Sequence, residues 1–483
     1  MANKIKESLH YYTLLPLIYQ VFRFVTAILL ARILDPKDFG IIGLASIIVF
    51  YSNNLTNFGF STALINKDEI NSSETNSIFT VNLIISIFLT AIVIIFAPVI
   101  ADFFAVSELS LALIAMSSIF IFTSFALVAL TLLKRDMKFK TISKIELSTG
   151  VFQSILTLLL AYCGLGFWSM IIGLIASNFM NAALSLFLAN WRPQIKIRVD
   201  ALKKMLNYAS WTFYEAQLRL LENYLDRLII GKVLGPVNLG YYEKASGFAL
   251  MPVESLVHKI TGVMFSAFSR VKSDHEELLN YLEKTVVLVS IICFPIFAGF
   301  GVIADFFVPL LLGEKWNPMI PPLFFLLLAY SFYAIVSSVG VFNIASGSYK
   351  KQISARMLCL FFLIVLLLIY SKYGVTMVAA IIMGYQFLFL CVSNYIVSQR
   401  MGINYFLMVV WITPSIILTL IMTLTIILLK HFMFASITIG NMIMLILCGV
   451  VVYISLFFLF DFRSTRFLRD TVSPIWIKFS KYL

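Results

Sequence analysis

Apolar runs of twenty or more residues alternate with short polar breaks along the whole chain. Each run is long enough to cross roughly 30 Å of hydrocarbon as a helix. The breaks predict spans near residues 11–34, 40–65, 77–101, 109–133, 145–163 and 166–190. Six more follow near 210–234, 239–268, 281–312, 319–347, 352–371 and 374–398, and a last pair near 404–429 and 434–460. The expected fold class is an all-α polytopic membrane protein of about fourteen transmembrane helices.

Two of these segments, 210–234 and 239–268, carry enough charge to escape a hydropathy window, and an internal repeat restores them. Val99-Ile100-Ala101-Asp102-Phe103-Phe104 returns letter for letter as Val302-Ile303-Ala304-Asp305-Phe306-Phe307. Leu34-Asp35-Pro36-Lys37-Asp38-Phe39-Gly40 is answered by Leu234-Gly235-Pro236-Val237-Asn238-Leu239-Gly240 in nearly the same register. The expected organisation is a six-helix lobe over 1–200, a second over 201–400, and two extra helices with a basic tail over 401–483. An even number of spans per copy makes both copies enter the membrane in one direction. The two lobes are then expected to be related by a pseudo-two-fold axis along the membrane normal, an arrangement typical of transporters.

Composition excludes a soluble protein: 61% of residues are apolar, 12% are charged, and mean hydropathy is +0.96. The formal charge of +12 does not point to nucleic acid, because of where it lies. With the N-terminus inside, 24 of the 36 basic residues fall in cytoplasmic segments and 6 in outer loops. One missed span would spoil that asymmetry, so both termini are expected in the cytoplasm.

The remaining six basic residues lie within spans: Arg23, Arg219, Arg227, Lys244, Lys259 and Arg356, with acidic companions Glu215, Glu222, Asp226, Glu243 and Glu254. A charge at the centre of a lipid-facing helix costs about 2.5–3.5 kcal/mol even on the milder scale, so such residues face a wet cavity or one another. Glu215, Arg219, Glu222 and Asp226 repeat at helical spacing on one face. Glu254 and His258 share a face just after Pro252, which loosens the backbone. Arg23 has no acidic residue within a turn on its own span. Structural ion pairing and cavity lining both remain open for these residues; Arg356, near a span end, is equally consistent with snorkelling. No nucleotide loop, metal cluster or nucleophile–base pair stands out, so neither catalysis nor a cofactor is expected. The five cysteines show no paired spacing.

Several short segments match a known family in order. They are Ala31 to Gly40, Leu133 to Lys140, Gly164-Leu165-Gly166-Phe167-Trp168, Trp191-Arg192-Pro193 and Leu225 to Gly231. Leu239-Gly240-Tyr241-Tyr242, Phe268-Ser269-Arg270 and Gly313-Glu314-Lys315-Trp316 extend the agreement, with Ser266 standing where proline is usual. The chain resembles the polysaccharide flippases of the multidrug/oligosaccharidyl-lipid/polysaccharide exporter superfamily, in the O-antigen, colanic-acid and teichuronic-acid branch. The resemblance implies a two-lobed transporter that flips undecaprenyl-pyrophosphate-linked oligosaccharides across the bacterial cytoplasmic membrane during surface polysaccharide or lipopolysaccharide synthesis. Partners would be that lipid-linked oligosaccharide, membrane lipids, and a polysaccharide polymerase with its chain-length machinery.

Arginine suits a pyrophosphate because its planar fork binds oxyanions bidentately. Arg23, Arg219, Arg227, Lys244 and Lys259 are therefore the expected substrate-binding residues, with Glu215, Glu222, Asp226, Glu254 and His258 as cavity or coupling residues. A multidrug antiporter and a peptidoglycan-precursor flippase of the same superfamily remain alternatives, as does a membrane glycan polymerase or acyltransferase.

Overall fold

The computed structural model describes residues 19–57, 64, 71–196, 217–218, 220–272, 274–433, 436–460 and 466. Fourteen helices follow one another, with no strand among the described residues. They are α1 (19–33), α2 (Pro36–Asn57), α3 (Ser72–Phe104), α4 (Glu108–Arg135), α5 (Phe139–Tyr162), α6 (Phe167–Ala189) and α7 (220–233). Then come α8 (Gly235–Arg270), α9 (His275–Phe307), α10 (Ile320–Ala345), α11 (Tyr349–Tyr370), α12 (Val375–Met401), α13 (Leu407–Phe432) and α14 (Ile439–Leu459). Among the described residues, eleven helices are long and apolar enough to cross a membrane. The chain divides into two compact units, Met1–Tyr241 and Tyr242–Leu483.

The repeat is visible in helix lengths. Both copies of the hexapeptide end a helix of 33 residues, α3 in one case and α9 in the other. Within the first unit α4 packs on α2, α3 and α6, and α5 packs on α6; within the second, α10 packs on α8, α9 and α12, and α11 on α12. The helices outrun the apolar runs because they continue into water behind polar caps. Asn71 and Glu74 form a capping box at the start of α3, and Asp274 accepts from the Glu276 and Glu277 amides at the start of α9.

The turn after α1 has a clear physical purpose. Pro36 opens α2, where its missing N–H costs nothing. Asp38 serves two helix starts at once: one carboxylate oxygen accepts from the Asp35 amide at 3.0 Å, the other from the Phe167 amide of α6 at 3.1 Å. Lys37 reaches Glu108 at the start of α4 at 2.6 Å. Gly40 and Gly240 are reciprocal. A Cβ on Gly40 would lie 1.8 Å from the Pro236 carbonyl oxygen, and one on Gly240 would lie 1.8 Å from that of Pro36. Only glycine lets these two helix starts interlock.

Other family segments are also turns and seams. Gly164 and Gly166 take positive φ to join α5 to α6 in a tight turn. Trp191 packs edge-on against Phe79, while the Gln194 and Lys196 amides donate to Asn76 and Thr80 of α3. Trp316, fully buried, follows Gly313 at φ 102°.

The extra pair, α13 and α14, attaches to α9. Ser290 and Ser415 hydroxyls meet at 2.8 Å, Tyr453 donates to the Ile291 carbonyl at 2.8 Å, and Lys430 contacts Asp305 at 2.6 Å. Ile303, Met422, Ile426 and Leu445 form the buried seam among them.

Candidate functional site

Among the described residues, the charges expected within spans concentrate on α7 and α8. On α7, Asp226 is buried and Glu222 half-buried. The Arg227 guanidinium donates to the Asn223 carbonyl and lies 5.5 Å from the Tyr224 ring centroid. Glu215 and Arg219, expected on the same face, lie outside the described residues. Arg23 is exposed on α1 and engages another group.

On α8 the backbone departs from regular helix after Pro252, with a π turn over Val253–Val257 that holds Glu254. Such a turn widens the helix by one residue and is common at functional positions. Glu254 within it, and His258 and Lys259 just beyond it, are all exposed. The His258 ring sits edge-on to Tyr333 at 6.5 Å, and Tyr330 next to it bonds Ser246 at 2.9 Å. Lys244 differs from the other cations. It is buried, with its ammonium 5.8 Å from the Trp316 ring centroid. That position makes it a packed residue of the second unit. Arg356 stacks over Phe389 at 5.4 Å.

A second polar feature escapes the charge count. Within the first unit α1, α5 and α6 border an open pocket of about 280 Å³, lined by Tyr19, Ser143, Glu146, Thr149, Gln153, Ser177, Asn178 and Asn181 among others. Gly150 seats the Tyr19 ring directly on the α5 backbone, since a Cβ there would come 2.1 Å from a ring carbon. Ser177 bonds Gln153 at 3.3 Å, Ser185 bonds Asn181 at 3.3 Å, and the Asn178 amide donates to the Leu174 carbonyl at 2.8 Å. The Ser143 hydroxyl, 1% exposed, has no hydrogen-bond partner among the described residues. Glu146 lies just inside the predicted span of 145–163 and so reads as an end residue. The helical spacing of Ser143, Glu146, Thr149 and Gln153 was the signal available. Among the described residues no cluster of side chains could hold a metal ion.

Residues 29–321 match the family model described as polysaccharide biosynthesis protein, more than half of the chain. The chain belongs to that family, as a multi-pass membrane protein. It is 27% identical over 61% of its length to the lipopolysaccharide biosynthesis protein WzxC of Escherichia coli K12, and 24% identical over 61% to the succinoglycan biosynthesis transport protein ExoT of Rhizobium meliloti. Each match spans 60% of the relative's own length. Among solved structures, the inward closed conformation of the lipid II flippase MurJ superposes with a TM-score of 0.76, covering 95% of this chain and 99% of MurJ at 15% identity. That likeness establishes a shared fold.

Proposed function

We propose that this chain is a transporter that flips lipid-linked oligosaccharide repeat units, carried on undecaprenyl pyrophosphate, from the cytoplasmic to the outer leaflet. One observation carries the reading: a member of a polysaccharide biosynthesis family places acidic and basic side chains along α7 and α8, where an inert membrane helix would have none. A pyrophosphate cannot cross hydrocarbon unaided, and Arg23, Arg219 and Arg227 supply the bidentate donors it needs. Lys259 adds charge beside them, with Glu222, Asp226, Glu254 and His258 balancing the wall. Lys244 acts from its packed position. Alternating access of the two lobes around a cationic cavity would move the sugars while the prenyl tail stays in lipid. Both termini are placed in the cytoplasm by the basic asymmetry, and the membrane is the bacterial cytoplasmic membrane. A polymerase with chain-length machinery would consume the product. Nothing in this reading requires catalysis by the chain.

The test is complementation of a flippase-null strain at matched membrane abundance. Arg23→Ala is expected to abolish surface polysaccharide, and Arg23→Lys to keep part of it, because charge survives without the fork. Normal polysaccharide with Arg23→Ala removes that residue from the site. The fold of MurJ favours one second reading, a peptidoglycan-precursor flippase; rescue of cells depleted of their lipid II flippase, with no rescue of polysaccharide export, would establish it instead.

A further inference from the structure

The cavity between α1, α5 and α6 is built of chemistry that the pyrophosphate reading does not use. We infer that it is a sugar-reading subsite, taking one neutral or amino-bearing glycosyl residue of the repeat unit. The inference rests on the flippase reading above.

Its size comes first. About 280 Å³ is room for some nine waters at about 30 Å³ each, near the lower end of the roughly 300–1,000 Å³ range of small-molecule pockets. A dehydrated cation needs far less and demands converging oxygens. The wall spreads hydroxyls, three side-chain amides and one carboxylate over a space much larger than one such ion fills. Each amide offers both a donor and an acceptor, which matches sugar hydroxyls, themselves donors and acceptors. None of the described lining residues is basic, which favours a neutral or cationic group over a phosphate.

Ser143 strengthens the case. A hydroxyl this buried ordinarily has a partner, and leaving one unmade costs about 1–3 kcal/mol; here it lines the cavity without one among the described residues. A change of rotamer turns that hydroxyl toward the pocket, where a ligand hydroxyl supplies the missing bond. Tyr19, seated against Gly150, provides an aromatic wall for the apolar face of a pyranose ring. Glu146 sets the charge preference: it accepts from hydroxyl or ammonium groups and repels a uronic acid.

At the corresponding positions of the second unit, α11 and α12 carry buried Leu360, Leu363, Tyr385 and Phe389 instead. Position agrees with use as well. Ser143 and Glu146 lie in the first turns of α5, next to Lys138, Lys140 and Lys144, the end expected to face the cytoplasm, where repeat units are loaded.

The experiment uses flippase-null strains that assemble different repeat units on the same lipid carrier: one neutral, one with an amino sugar, one with a uronic acid. Each receives the full chain or its Ser143→Ala, Glu146→Gln or Gln153→Leu variant, and surface polysaccharide is read against membrane abundance. The unaltered chain is expected to export the neutral or amino-sugar unit over the uronic one. The variants should accumulate normally yet change that ratio by about tenfold, the size of one hydrogen bond, and Glu146→Gln should relax rejection of the uronic unit. Unchanged ratios at normal abundance overturn the inference and leave the flippase reading standing. A uniform loss with altered sodium or proton dependence overturns it in favour of a cation site, and reduced abundance of all three variants shows a structural role. If the unaltered chain exports no unit, the flippase reading falls and the inference with it.

Discussion

In the first unit α5 begins after Met137 at φ 54° and α6 after Gly166 at φ 54°; in the second, α11 begins after Gly347 at φ 84° and α12 after Gly374 at φ 108°. Aligned on these turns, the two helix pairs carry opposite walls. Glu146 faces the place of Arg356, Gly150 that of Leu360, and Gln153 that of Leu363. On the second helix of each pair Ser177 answers to Tyr385 and Asn181 to Phe389. Tyr385 and Phe389 stack at 6.1 Å, and Arg356 lies over Phe389, so the second copy is filled where the first is hollow. Duplicated helices thus keep their turns and ends while their facing surfaces diverge. Turn geometry is what the fold requires; the wall is free to take on another use.

The sharpest test of the shared part is at the interlocked glycines. Gly40→Ala and Gly240→Ala each drive a methyl into a backbone carbonyl, which cannot swing aside as a side chain would. Overpacking of this kind costs about 1–3 kcal/mol or more. Both variants are expected to lose most of their membrane abundance, and to an equal degree. Thermal melting in detergent would reveal it, and a stable Gly240→Ala beside an unstable Gly40→Ala would break the equivalence of the two copies.

The diverged walls predict opposite responses. Leu363→Gln in the second unit buries an amide at a site 1% exposed and should destabilise by about 1–3 kcal/mol. Gln153→Leu, its mirror in the first unit, should leave the melting temperature unchanged or raised. Parallel melts of the two variants measure the contrast, and equal losses would show that the first wall is structural.

The smallest expected difference is at the hexapeptide. Asp305 holds Lys430 of α13 while both remain partly exposed, and such pairs are worth about 0.2–1 kcal/mol. Asp305→Ala should lower stability by no more than that. Asp102→Ala, at the same position of α3, should do nothing, because among the described residues Asp102 has no salt-bridge partner. The two melts, run at low and high salt, check whether the Asp305 effect is electrostatic.

Much of this architecture was legible from residues alone. The repeated hexapeptide and the proline–glycine turns announce two copies, and the lengths of α3 and α9 agree. Helix ends were less legible: hydropathy sees only the hydrocarbon stretch, whereas Asn71 and Asp274 cap helices well outside it. The charges of α7 and α8 stood out because ionised groups are rare in spans. Burial of Lys244 beside Trp316 could not be read, since the two meet across some seventy residues. The cavity was harder still. Its walls are mostly neutral, come from three helices, and depend on the absence of a side chain at Gly150 as much as on those present.

The glycine interlock has a mechanical consequence for α8. Its first turn cannot slide or tilt against α2 without forcing one backbone into the other, so the helix is anchored at that end like a cantilever. A regular helix is stiff, and bending in such a beam collects where its hydrogen-bond ladder is already irregular. That point is the π turn at Val253–Val257, which carries Glu254 and immediately precedes His258 and Lys259.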